Sequence, residues 1–119
     1  MNELKEVRRV FQGLQTLYKT YFSKVDPALL NDLLTREQEK REEPTLYLVQ
    51  MWTNDSSKKD FIKTYIVEKT GMMPSIHDNG RHFVTNHILN LELLKDFSDL
   101  ENVTRIKGYF TGAIYGVGA

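Results

Sequence analysis

Between residues 3 and 25, apolar side chains recur at Leu4, Val7, Phe11, Leu14, Tyr18, Tyr21 and Val25, at gaps of three and four. That spacing lays one stripe along a helix. Val10, Leu17 and Phe22 widen the stripe, so the pattern predicts an amphipathic helix lying against a core in preference to a dimerising zipper. Asp26-Pro27 predicts a fresh start, with Asp26 as N-cap and Pro27 in the first helical position. Leu29, Leu30, Leu33 and Leu34 give this second helix its apolar face. It runs into TREQEKREE, residues 35–43, where nothing is apolar and a solvated helix end and linker is expected.

After Pro44 the period changes. TLYLVQMWT, residues 45–53, is aliphatic, aromatic and β-branched, and predicts a largely buried strand. Ser57 with Asp60 predicts a capping-box start for a helix carrying Phe61, Ile62, Tyr65 and Ile66 and ending at Gly71. A short strand over 72–78, a turn at Asn79-Gly80 and a strand over 81–87 follow. Asn90 caps a helix through Leu91, Leu94, Phe97 and Leu100, and VTRIKGYFT, residues 103–111, is the last strand.

From residue 44 the order is strand, helix, strand, strand, helix, strand. This is the ferredoxin-like βαββαβ pattern, in which two helices cover one face of a four-stranded antiparallel sheet. The fold class is α+β, a helical hairpin followed by a ferredoxin-like unit. One domain is expected over 1–119: a helical segment at 1–43, the sheet unit at 44–112, and 113–119 as a tail or short extra strand. No particular function follows from this architecture alone.

Composition narrows the function more than the fold does. Sixteen basic and sixteen acidic residues cancel, which disfavours duplex nucleic acid as main partner, since phosphate contacts demand a basic excess. The absence of cysteine excludes disulfides, thiol catalysis and thiolate zinc sites. No apolar run is long enough to span a bilayer, and MNELKEVRRVFQ lacks the apolar core of a signal peptide. A cytoplasmic protein with no cofactor is the expectation. No nucleotide-binding, nucleophile-elbow or metalloprotease motif occurs.

The one cluster of chemical interest is HDNGRHFVTNH, residues 77–87, which holds all three histidines. Asn-Gly between strands predicts a two-residue type I′ hairpin. Its register sets Asp78 against Arg81, His77 against His82 and Ile76 against Phe83. His87 lies five residues beyond His82, so alternation sends it to the opposite face. The histidines therefore divide into a facing pair and a third pointing away. A pair falls short of the three or four protein ligands that zinc wants, so no metal is expected, with His77 and His82 as the weak candidates.

Ile76, Phe83, Ile106 and Phe110 select the covered face of the sheet. His77, His82, Arg105, Lys107 and Tyr109 then fall on the open one, with Tyr47, Val49 and Met51 joining from the first strand, although Leu46, Leu48 and Trp52 compete. This mixed surface predicts a non-enzymatic binding or assembly module that acts through the open sheet face and the N-terminal helices, self-associating or holding a protein partner. A single-stranded RNA platform using Arg105, Lys107 and Tyr109 is the alternative. GRHFVTN partly resembles the RNP1 signature, with Asn86 where an aromatic belongs. A small-ligand or metal-dependent domain using His77 and His82, in a pocket between sheet and N-terminal helices, is the third reading.

Overall fold

In the computed structural model, which describes residues 2–39 and 44–113, the inner strand β1 (Thr45–Thr53) organises the sheet. It pairs antiparallel with β3 (His82–Ile88) on one side and β4 (Val103–Ala113) on the other. The short strand β2 (Ser75–His77) joins β3, which gives the order β2-β3-β1-β4. Helices α3 (Lys59–Thr70) and α4 (Leu91–Ser98) make the two crossovers. The succession is the expected βαββαβ, and the class is α+β with a ferredoxin-like arrangement.

Alternation along β1 decides which face is covered. Tyr47, Val49, Met51 and Thr53 are buried, while Leu46, Leu48, Gln50 and Trp52 turn the other way. The expectation that Tyr47, Val49 and Met51 join the open face is therefore corrected. Tyr47 has 0% of its surface exposed. The cause is α2 (Pro27–Gln38), which extends the helical layer over β4 and buries Leu29, Leu30 and Leu33. From α2, Asp32 accepts the Tyr47 hydroxyl at 2.6 Å, so the ring's polar atom is satisfied on burial. Burial first, and then the Asp32 carboxylate, push the Tyr47 hydroxyl well above its ordinary pKa, so it remains a donor. Arg36 completes the cluster: its Nε donates to Asp32 at 3.0 Å and its guanidinium lies 3.5 Å from the Phe110 ring centroid.

The link between α1 (Asn2–Tyr21) and α2 is fastened to the sheet. Asp26 N–H donates to the Ile106 carbonyl, and Ile106 N–H donates to the Lys24 carbonyl, both at 2.8 Å. Val25 thereby forms a parallel bridge beside β4. As expected, Asp26 caps α2, accepting from Ala28 N–H, and Asn90 caps α4, accepting from Leu93 N–H at 2.8 Å. Gly71 closes α3 at φ 75°. Ser57 does not start α3. Asp55 caps a 3₁₀ turn at Ser56–Lys58 first, accepting from Ser57 N–H at 2.9 Å. β2 is shorter than expected, and the expected tail beyond Ala113 lies outside the described residues.

The largest departure is α1. Its stripe was expected to lie against a core, yet none of its residues is buried. Near its end, Tyr18 and the adjoining Phe22 pack on the core, and the Tyr18 hydroxyl donates to Asn31. Upstream, Val7 and Phe11 are 63% and 57% exposed. The reason is that α2, α3 and α4 already cover the apolar sheet face and leave α1 no face to pack on. The radius of gyration, 16.2 Å, accordingly exceeds the roughly 13–14 Å of a compact chain this long.

Strands β1 and β4 approach closely at Gly108, where an added Cβ would stand 2.4 Å from the Leu48 carbonyl oxygen. That neighbour is backbone and cannot rotate aside. Gly108→Ala is expected to cost about 1–3 kcal/mol, read as a lower urea midpoint, whereas an unchanged midpoint would mean the strands are further apart than described.

Candidate functional site

On the open face, one side chain from each strand stands in a single cross-strand row. The register pairs His77 with His82, His82 with Trp52, and Trp52 with Arg105. The His82 and Trp52 rings stack at 4.5 Å with an interplanar angle of 7°. Arg105 covers Trp52 with its guanidinium 4.0 Å from the ring centroid. His77 lies 5.6 Å from His82, ring to ring. Gln50, on the next row, accepts from His82 Nε2–H at 3.0 Å and thereby fixes the neutral tautomer. Burial first, then the neighbouring His77, hold the His82 pKa below its ordinary value.

The rest of the face grades from polar to aliphatic. Lys107 sits opposite Gln50, Tyr109 opposite Leu48, and Leu46 opposite Ile88. Tyr109 is 57% exposed. The face thus carries His77, His82, Arg105, Lys107 and Tyr109 together, with Tyr47 beneath the helices. Trp52, the organiser of the row, escaped the sequence reading because both sets of alternate residues in TLYLVQMWT are apolar. Gln50 was the available signal, since an amide marks the solvent-facing set.

His87 lies across the sheet from the other two. It is 3% exposed, its ring meets Phe97 edge-on at 5.9 Å, and Nδ1–H donates to the Ile88 carbonyl at 2.8 Å. Burial lowers its pKa. Among the described residues, no group of three or more histidine, aspartate or glutamate side chains is placed to hold a metal ion.

The turn that sets this register is not the expected two-residue one. Asp78, Asn79 and Gly80 all have positive φ (52°, 55° and 86°), and Arg81 N–H donates back to the His77 and Asp78 carbonyls. Asp78 and Arg81 therefore belong to a four-residue loop, and the ladder begins at His77–His82. Gly80 is buried under α3, where a Cβ would meet Lys59 Cδ at 3.0 Å.

Two larger clefts lie away from this row. One of about 550 Å³ is an apolar groove between the second half of α1, α2 and α4, with Leu14, Leu17, Leu34 and Leu91 in its walls. The other, about 590 Å³, opens beside the end of β3, where His87, Asn86 and Met72 line it. Neither contains His77, His82 or Tyr109. A smaller cleft, about 310 Å³, lies between the α1–α2 link and Arg105 and Lys107 at the edge of the open face, and it too leaves out His77 and His82.

Comparison with protein-family models, with curated proteins and with solved structures found no match. Among the described residues, no helix is long and apolar enough to cross a membrane.

The two perturbed histidines give separable pH signatures. Trp52 is the chain's one tryptophan, so its fluorescence reports the stack directly. Its emission should change in one step below pH 6.5 as His82 charges. His82→Gln should remove that step, and His77→Ala should move it to higher pH. A step that survives His82→Gln would dissolve the stack. His87 acts on stability. The unfolded chain takes up its proton near pH 6.5 while the folded state resists, so the contribution is complete above 6.5 and lost as pH falls from there. Urea midpoints between pH 7 and about 5 should therefore decline, and His87→Leu should flatten part of that slope.

Proposed function

We propose that the protein is a non-enzymatic assembly module that self-associates through α1, with the open sheet face as a second contact surface. The observation that carries this reading is the unpartnered stripe. Seven large apolar side chains of α1 are exposed, Leu4 through Tyr21. They range from 38% exposed at Leu14 to 63% at Val7. Scattered exposed apolar residues need no explanation, but a continuous stripe along one helix does.

Helix physics points the same way. The first half of α1 makes no buried contact, and a free helix of about twelve residues is marginal in water. Its two internal threonine bonds, Thr16 to the Gln12 carbonyl and Thr20 to the Thr16 carbonyl, add little to helix stability. A partner that covers the stripe supplies what propensity does not.

The other surfaces support competing functions less well. Single-strand recognition needs free aromatic faces for bases. Trp52 spends one face on His82 and the other on Arg105, which leaves Tyr109 as the free ring. A metal would find His77 and the free Nδ1 of His82, two ligands where zinc takes three or four from protein.

Light scattering tests the proposal. The protein should be a dimer at micromolar concentration, and Val7→Glu with Phe11→Glu should make it monomeric. Because neither residue packs on the core, the thermal transition of the sheet unit should persist in that variant. A wild-type chain that stays monomeric at about 100 μM, where even weak transient contacts associate, would overturn the reading.

A further inference from the structure

We infer that the apolar groove between α1, α2 and α4 is the seat of the first half of α1 from a second copy, with the two α1 helices running antiparallel. This rests on the self-association reading and adds to it an orientation and a binding site. The groove is continuous with the exposed stripe, because Leu14, Leu17 and Tyr21 belong to both. Each copy therefore carries an apolar arm, and beside it an apolar recess of about 550 Å³. A two-fold axis near the middle of α1 sets each arm into the other copy's recess and closes the assembly as a dimer.

The pattern of α1 chooses the direction. In an antiparallel pair, Leu4 meets the partner's Tyr21, Val7 the partner's Tyr18, and Phe11 the partner's Leu14. The flanks then match, since Val10 lies by the partner's Leu17 and Arg8 by the partner's Gln15. A parallel pair would set Val10 against the partner's Gln15, mixing apolar with polar. Charge agrees with the antiparallel choice. The flank bearing Arg8 turns towards α4 of the other copy, where Glu92 stands on the groove's rim, while Asp96 there is paired with Lys69 and Lys95 with Asp99.

Cross-linking reads this geometry without interference, because the chain has no cysteine. Leu4→Cys and Tyr21→Cys proteins, mixed and treated with a short bis-maleimide, should yield a cross-linked heterodimer. Leu4→Cys alone should yield none, because seventeen helical positions separate it from its own counterpart, about 25 Å. Efficient self-cross-linking of Leu4→Cys would show a parallel pair and overturn the inference while leaving self-association standing. A dimer that gives neither product associates elsewhere, which also overturns it. A monomer in light scattering overturns the underlying reading instead. Independently, Arg8→Glu should weaken the dimer about tenfold and Glu92→Lys should restore it; no rescue would remove the charged contact from the scheme.

Discussion

The hydrogen bond from Tyr47 to Asp32 lets β1 turn Tyr47 inward, in step with Phe83 and Ile106, which flank Met51 in the register, and with Phe110 beside Tyr47. β1 is largely apolar on both sides, and Gln50 is the one amide that marks the outward set. A tyrosine buried without an acceptor would cost on the order of 1–3 kcal/mol, and Asp32 on α2 removes that cost on one side only. Once Tyr47 points inward, Val49 and Met51 must follow, and Leu48, Gln50 and Trp52 must turn outward. Because β1 pairs with both β3 and β4, their faces are set by the same choice. The Trp52 row on the open face is thus the counterpart of the packing on the other side.

The same choice explains why α1 has nothing to cover. With α2 recruited to the helical layer, one sheet face is fully occupied by three helices. The opposite face is partly polar and includes a charged, stacked row, which is a poor bed for Leu4, Val7 and Phe11. The stripe on α1 is left exposed, and the apolar groove opens at its base.

Much of the architecture was legible in the sequence because several signals agreed at each point. Asp26-Pro27, Gly71 and Asn90 mark helix boundaries by backbone chemistry that tertiary context did not override. The facing of His77 with His82, and the turning away of His87, followed from period-two alternation. The failures share a cause. The side of Tyr47 and the exposure of α1 depend on what packs opposite, and an amphipathic stripe says only that something must cover it. The Asn79-Gly80 turn was misread because the signal for positive φ was correct but incomplete. Asp78 joins the left-handed run, and buried Gly80 tucks the loop under Lys59, which a two-residue turn would not reach.

The parallel bridge at Val25 has a bearing on how large an assembly can grow. β4 is an outer strand, and a long free edge of this kind is a template on which further sheets could add without limit. By taking both backbone groups of Ile106, the Lys24–Asp26 segment obstructs that edge near its start. Extension along that edge is thereby discouraged, and the opposite edge is the three-residue strand β2, too short to template a long added sheet.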